Sequence, residues 1–353
     1  MDKLLTIVIP AYNMEALLPR CLDSICTEKV MDKVQVIVVN DGSKDRTLEI
    51  ARSYENQYPQ YITVIDKPNG NYGSCMNVGL ALAKGKYFRT LDADDWYNTK
   101  AYELFVEELN YTEADMLLCE RYNYIENDNK YELINFDQNL PLHKDISVKN
   151  ELWTQLKKHE AVTCLCYKTD LLKKCKMKWS EKVFYTDTEY DYFPLSEIKT
   201  IRLIPLPVYI YLKGRNDQSM SIKNISRNFH SFHIVANRIV CDFIENASNT
   251  SEVYLLQKKY LLQILIFFYG SLLFHGFKYK KEIDEIDIML KKMPDIYKEI
   301  SNILTYRKHK YVSIYRNNKM KFWIIHKVFK IHLKFHPIIE RIKNITKTNT
   351  QKK

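Results

Sequence analysis

The eight cysteines, Cys21, Cys26, Cys75, Cys119, Cys164, Cys166, Cys175 and Cys241, form no paired Cys-x-x-Cys spacing and lie mostly inside apolar patterns. This argues against a zinc site of the usual spacing and against a dense disulfide framework. Cys164 and Cys166 would share one face of an extended segment, but two thiols do not make a metal site. Reduced core cysteines, as in the cytoplasm, are the expectation. Long apolar runs are lacking too. The longest, Tyr260 to Phe274, is broken by Gln263 and Gly270 and falls short of the roughly 20 residues needed to cross a bilayer. It reads as a core or interface helix. The opening segment, Met1 to Pro10, has too short an apolar part for a signal peptide. Internal repeats, low-complexity linkers and any nucleic-acid reader module are also missing, so nucleic acid is not an expected partner. A chain of 353 residues with 46% hydrophobic and 27% charged residues is not disordered as a whole. It can bury one large core or two modest ones.

Charge is present but unevenly placed. Residues 307–353 carry +13, leaving −3 for residues 1–306 out of the total of +10. Within that tail, Phe322-Trp323-Ile324-Ile325, Val328-Phe329, Ile331, Leu333, Phe335 and Ile338-Ile339 interleave with Lys321, Lys327, Lys330 and Lys334. Such a basic amphipathic segment can lie in an anionic membrane interface, or it can dock on the main body and show its lysines to water.

The first hundred residues alternate short β-rich runs with helix-like stretches. Leu5–Ile9, Val34–Val39, Ile62–Ile65 and Tyr87–Leu91 read as strands, and Asp115–Cys119 continues the rhythm. Helical periodicity fills the gaps, with Leu18, Leu22 and Ile25 on one face and Val78–Ala83 closed by Gly85. Alternation of this kind predicts an α/β fold with a mainly parallel sheet covered on both faces. Ligands in such sheets sit beyond the carboxyl ends of the strands. Each of the four strands ends in a polar loop: Pro10-Ala11-Tyr12-Asn13, Asn40-Asp41-Gly42-Ser43, Asp66-Lys67-Pro68-Asn69-Gly70 and Asp92-Ala93-Asp94-Asp95. Later segments are less periodic. Residues 121–150 are polar and suit a loop or small excursion. Glu151–His159 looks helical, Val162–Tyr167 extended and Ile201–Leu212 strand-like despite its prolines. Beyond about residue 222 the chain reads as helical.

The acids after the fourth strand are the most informative stretch. Carboxylates crowded at the mouth of a buried strand repel one another and lose hydration. A divalent, oxygen-seeking ion such as Mg²⁺ or Mn²⁺ would relieve both costs and could take its other ligands from water and a diphosphate. A solvated acidic turn is the bland alternative.

The ordered set Thr6-Ile7-Val8-Ile9-Pro10-Ala11-Tyr12-Asn13, Val38-Val39-Asn40-Asp41-Gly42-Ser43-Lys44-Asp45, Asn69-Gly70-Asn71-Tyr72-Gly73 through Asn77-Val78-Gly79, and Leu91-Asp92-Ala93-Asp94-Asp95-Trp96 resembles the family 2 glycosyltransferases. The match covers residues 4–97 and extends more loosely to about 220; residues 225–353 carry no motif of that family. The resemblance implies a GT-A (Rossmann-like) sheet flanked by helices, with a mostly helical C-terminal region. It divides the chain into a catalytic domain over 1–221, a helical extension over 222–306 and the basic tail over 307–353.

It also implies roles. Pro10, Ala11, Tyr12 and Glu15 would surround the nucleoside, and Asp41 would accept a hydrogen bond from uracil. The turn-capping role open to any Asp-Gly pair is the alternative for Asp41. Asp94 would be the direct metal ligand, Asp92 the ribose- or metal-proximal acid beside Ala93, and Asp95 a loop-orienting group. Lys67 and a turn spanning Gly70, Tyr72 and Gly73, with Asn77 beyond, would contact diphosphate or sugar, although Lys67 could equally be a solvated charge. Asp187 would be the catalytic base, with Thr186 standing where the family usually has glutamate. Glu189 is the runner-up if that segment is extended. Arg215, with Gln218 and Ser219, would close over the diphosphate or acceptor, and Trp96 would stack on a sugar or anchor the next helix.

The implied activity is inverting transfer of a sugar from a UDP-sugar, with Mn²⁺ or Mg²⁺, to a hydroxyl of a glycan or lipid-linked glycan in bacterial cell-surface polysaccharide synthesis. The setting expected is cytoplasmic, peripheral on the inner membrane face, with an oligomer compatible. A nucleotidyltransferase acting on a sugar phosphate, and a silent nucleotide-sugar-binding scaffold, are the competing readings.

Overall fold

The computed structural model describes residues 3–137, 139–156, 161–214 and 227–333. The chain divides into two compact units, residues 1–221 with 245–260 and residues 222–244 with 261–353.

The first unit is α/β. In chain order its main elements begin with β1 (Leu5–Ala11), α1 (Leu18–Asp23), β2 (Val34–Asn40) and α2 (Thr47–Gln57). They continue with β3 (Ile62–Asp66), α3 (Asn71–Leu82), β4 (Tyr87–Thr90), β5 (Trp96–Tyr97) and α4 (Thr99–Glu108). β6 (Met116–Ile125), β7 (Lys130–Ile134), β8 (Asp145–Ser147), α5 (Asn150–Gln155) and β9 (Leu165–Lys168) follow. α6 (Thr169–Lys174), α7 (Asp187–Tyr192) and β10 (Thr200–Lys213) complete it.

Among the described residues the sheet order is β3-β2-β1-β4-β9-β6-β10-β5, with β7 beside β6 and β8 beside β10. The β3-β2-β1-β4 half is wholly parallel. β1 lies at its heart with Leu5, Ile7, Val8 and Ile9 inaccessible, as a strand covered on both faces must be. Gly79 lets α3 lie close on this layer, since a Cβ there would come within 2.5 Å of the Val8 methyls.

Two details differ from the sequence reading. The strand after α4 does not neighbour β4; antiparallel β9 is inserted between β4 and β6. Residues 121–150 are not a simple excursion, because β6 runs on to Ile125 and pairs with β7 as a hairpin. The short edge strands escaped notice because half-exposed aromatic positions do not alternate cleanly with polar ones. Pro205 and Pro207 are accommodated in β10 by register shifts against β6 between Ile204 and Tyr209, where a missing N–H breaks the ladder.

The second unit is helical: α8 (Phe229–Asn246) and α9 (Tyr254–Gly270), each with one end in the first unit's share, then α10 (Leu272–His275), α11 (Lys280–Leu290), α12 (Pro294–Ile303) and α13 (Tyr311–Asn317). Its core holds a buried Arg316–Asp287 ion pair that Tyr269 also hydrogen-bonds. Residues 319–333 are helical as well. Phe322, Ile325 and Phe329 of that helix are buried, Phe322 against Phe277 and Tyr315 and Phe329 against Phe274 and Tyr306. Met320, Trp323, Ile324, Val328 and Ile331 are exposed. Among the described residues no helix is long and apolar enough to cross a membrane.

Candidate active site

The carboxyl end of β4 delivers the acidic loop. One oxygen from each of Asp92, Asp94 and Asp95 lies within 4.8 Å of the others. The three do not play equal parts. Asp95 is buried, its Oδ2 accepting from the Tyr209 hydroxyl at 2.7 Å and its Oδ1 from the Leu212 amide at 2.7 Å. It therefore ties the loop to β10. The Tyr209 hydroxyl also accepts from the Asp92 amide at 3.2 Å, and the Asp95 amide closes the turn on the Asp92 carbonyl at 3.0 Å. From the other side, Arg20 of α1 donates to the Asp94 carbonyl at 3.2 Å while its guanidinium stacks 3.7 Å from the Trp96 ring centre.

The electrostatics follow from this crowding. Burial, with the charges of Asp94 and Asp187 adding to it, pushes the Asp92 carboxyl up to about 8. Asp95 is also raised well above the carboxylate range, by burial and then by Asp94 and Asp92, against the opposing hydrogen bonds from Tyr209 and Leu212. A hard divalent cation would reverse this repulsion, and a donor set made of carboxylate oxygens fits Mg²⁺ or Mn²⁺.

Asp187 is the first residue of α7, and its charge is close enough to act on Asp92. Asp187 is exposed to solvent. The protein packed around the carboxyl raises its pKa, the N–H groups of Thr188 and of Asp187 itself pull it down, and Glu189 raises it. α7 is fixed to β4 by Tyr190, which packs among Trp179, Tyr167 and Phe88 and donates to the Phe88 carbonyl at 3.1 Å. Base candidate and acidic loop thus hang from the same strand. The Thr186 hydroxyl is buried with no hydrogen-bond partner among the described residues.

The segment that begins at Asp187 is helical, which removes the premise on which Glu189 could share its direction: residues two apart on a helix point nearly opposite ways. Glu189 is fully buried and accepts from the Ser180 amide and hydroxyl, both at 2.7 Å. It holds a strap, residues 179–182, that sequence reasoning missed. The other side of the strap is held by α3. Asn77 donates to the Trp179 carbonyl at 3.0 Å and accepts from the Trp179 amide at 2.9 Å, and the Lys182 amide donates to the Gly70 carbonyl at 2.7 Å. At Gly73 a Cβ would lie 2.0 Å from the Ser180 carbonyl oxygen. Gly73 and Asn77 therefore seat the strap. The expected Gly70–Gly73 turn is in fact the start of α3, with Gly70 just before its first residue.

Tyr72, on the first turn of α3, reaches the acidic group. Its hydroxyl pairs with Thr90 Oγ1 at 3.2 Å. Burial and then the Asp92 charge, with smaller contributions from Asp187 and Asp191, push its pKa well up against the Thr90 hydrogen bond. It stays a neutral phenol there.

The second cluster surrounds Asp41. Its amide donates to the Ala11 carbonyl at 2.8 Å, and its Oδ1 accepts from Lys67 Nζ at 2.6 Å and the Gly70 amide at 2.9 Å. Lys67 does not reach toward the acidic loop: its other donors go to the Pro68 carbonyl and Ser74 Oγ, each at 2.7 Å. Nearby, Pro10 and Ala11 end β1, and the Tyr12 ring is 45% exposed. Glu15 accepts from the Arg46 amide at 3.0 Å, and its own amide donates to Asp45 at 3.1 Å, lacing the first two loops together. Arg215, Gln218 and Ser219 lie outside the described residues.

Comparison with known proteins bears on this arrangement. Residues 6–175 match the family described as Glycosyl transferase family 2. Those residues belong to that family. Over 223 residues the chain is 28% identical to the Bacillus subtilis glycosyltransferase EpsJ, covering 61% of this chain and 63% of EpsJ. It is 39% identical over 105 residues to the chondroitin synthase of Pasteurella multocida, covering 30% of this chain and 11% of that protein. The chain thus spans less than two thirds of these curated relatives. In fold it is similar to residues 1–349 of S. aureus TarS, solved with UDP-GlcNAc, at a TM-score of 0.59 and 18% identity over 93% of this chain and 91% of that one. The GT-A architecture expected from the sequence is the one present.

Gly73→Ala should test the strap. The added methyl must displace backbone at Ser180, so stability to urea should fall by about 1–3 kcal/mol. An unchanged midpoint would mean that the strap yields freely.

Proposed function

We propose that this protein is an inverting glycosyltransferase that moves a sugar from a UDP-sugar to an acceptor hydroxyl in the assembly of a bacterial cell-surface glycan. The observation that carries the reading is the grouping of Asp187 with the acidic loop, close enough for its charge to act on Asp92. A base must face the reacting carbon while the diphosphate leaves on the other side; Asp187 at the start of α7 and the acidic loop after β4 would fill these two roles. The family membership and the UDP-GlcNAc held by TarS support a UDP-sugar donor. The polysaccharide-synthase relatives support a glycan acceptor, lipid-linked in this reading.

Asp94 and Asp92 would hold Mn²⁺ or Mg²⁺, which when bound neutralises charge on the departing diphosphate. The chain's own residues do the rest. Asp41 reads the ring N–H of uracil, with Pro10, Ala11 and Tyr12 around the nucleoside. Asp95, through Tyr209 and Leu212, keeps the acidic loop from swinging away. Tyr72, held neutral, can donate a hydrogen bond but cannot accept the acceptor's proton. Asp187 takes that proton as the hydroxyl oxygen bonds to the anomeric carbon. The bond to UDP breaks with its electron pair on the phosphate oxygen, so one displacement inverts the centre.

Asp187→Asn should lower turnover by roughly 10²–10⁴-fold, the usual contribution of a general base, while calorimetry shows UDP binding retained. Normal transfer by that variant would remove Asp187 from the chemistry. Adding Mn²⁺ with UDP should raise the melting temperature of the wild type but not of Asp94→Ala; an equal rise in both would sink the metal assignment. Release of UDP rather than pyrophosphate separates this activity from a nucleotidyltransferase, and no turnover over a donor and acceptor panel would favour a scaffold.

A peripheral position on the inner membrane face belongs to the same reading. At about 100° per residue, Met320, Ile324, Val328 and Ile331 form one row with Trp323 at its edge, opposite the buried Phe322, Ile325 and Phe329. Lys321 and Lys330 flank that row and Lys327 lies within it, over the Trp323 ring, so the helix can dock by one face and present a lysine-studded, partly apolar face to anionic lipid. The intact chain should float with anionic liposomes at low salt, and Ile324→Glu with Val328→Glu should abolish flotation. Failure of the intact chain to float would refute the surface.

A further inference from the structure

The site leaves Lys67 without the phosphate role that its sequence position invites. An ammonium has three hydrogens. Lys67 has three acceptors for them: Asp41 Oδ1 at 2.6 Å, the Pro68 carbonyl at 2.7 Å and Ser74 Oγ at 2.7 Å. Ser74 in turn donates to the Asn71 carbonyl at 2.8 Å, so the acceptor is itself oriented. The ion pair is sheltered, with the Asp41 side chain 4% and the Lys67 side chain 18% exposed. Gly70 is shaped to it: a Cβ there would come within 2.5 Å of Ser74 Oγ and 3.2 Å of Lys67 Nζ, and its amide donates to the same Asp41 oxygen as Lys67.

We infer that Lys67 is a positioning residue for nucleobase selection, which holds the Asp41 carboxylate in place and aimed rather than binding the donor's diphosphate. The inference rests on the reading of Asp41 as the uracil-facing group. The physical reason is the cost of a sheltered carboxylate without its counter-charge: it would turn toward solvent. Turned away, its oxygens would no longer meet uracil's ring N–H, which needs an acceptor. With Lys67 and the Gly70 amide both on Oδ1, the carboxylate is gripped by one oxygen and its plane is set. Selectivity for a base with a ring N–H then depends on a lysine that need not touch the base.

The two roles for Lys67 differ in which ligands they affect. Lys67→Met, Lys67→Arg and Ser74→Ala should be prepared in the full chain, with thermal melts to verify folding. Their affinities for uridine, UMP and UDP should be measured by calorimetry, with competition where binding is weak. A positioning role predicts that Lys67→Met weakens all three ligands by the same factor, roughly tenfold or more, the scale of a hydrogen bond to a charged group. It also predicts a narrowed preference for UDP over ADP and GDP, partial recovery in Lys67→Arg, and a smaller uniform loss in Ser74→Ala. A loss confined to UDP, with uridine unchanged, would assign Lys67 to the diphosphate and overturn the inference. If Lys67→Met does not fold, the same comparison in the other two variants decides. Asp41→Asn separates the layers. Should it leave uridine binding intact, the reading of Asp41 fails and takes the inference with it. Should it weaken uridine while the Lys67 variants do not, the inference alone fails.

Discussion

Negative charge concentrated at the tip of β4 is the constraint around which the first unit is arranged. Asp92, Asp94 and Asp95 converge within a few ångströms at the mouth of a buried strand, and Asp187 adds a fourth carboxylate from α7. The protein quiets only part of this repulsion by itself. Asp95 receives two hydrogen bonds from β10, and Arg20 supports the loop through a carbonyl, leaving its charge stacked on Trp96. Burial and the charges of Asp94 and Asp187 push the Asp92 carboxyl up to about 8. A positive ligand would relieve this repulsion, since like charges held together raise one another's cost of ionisation.

Distance between the groups is governed by α3. Its start closes on Asp41 through Gly70, its first turn sends Tyr72 to Thr90 beside the acids, and Gly73 and Asn77 seat the strap leading to α7. Gly79 lets the same helix settle on β1. One helix therefore relates Asp41, the acidic loop and the strap that leads to Asp187, and a shift in it would move all three together. The glycines matter for close approach: at positions 73 and 79 a side chain would meet backbone or a β-branched neighbour at less than van der Waals contact.

The alternation of strands and helices, the acidic loop and the Asp41 loop were all legible in the sequence, because each sits at a strand's carboxyl end where polarity changes abruptly. What stayed hidden depends on partners distant along the chain. A lysine after β3 announces a charge but not that Asp41 and Ser74 will claim it. Glu189 looked like a spare base because a six-residue helix is too short to show periodicity, and its true partner, Ser180, carries no motif. Arg20 and Tyr209 belong to elements whose register against the acidic loop only the folded sheet determines. The inserted strand β9 follows the same logic: four residues, Leu165–Lys168, bury as well in a parallel as in an antiparallel neighbour, so local pattern cannot choose.

β10 shows how the fold couples its ends. Its first half continues the sheet beside β6, and the break at Pro205 and Pro207 frees it to bend before pairing again through Tyr209 to Lys213. That second half supplies Tyr209 and the Leu212 amide to Asp95 and pairs with Trp96 and Tyr97. A straight strand without the prolines would carry its register on unchanged, and the hydroxyl and amide that restrain Asp95 would fall elsewhere. The prolines, which look like strand breakers in isolation, thus set the phase between the sheet and the acidic loop. Local propensity is overruled here because the site needs a bend at that point more than the sheet needs an unbroken ladder.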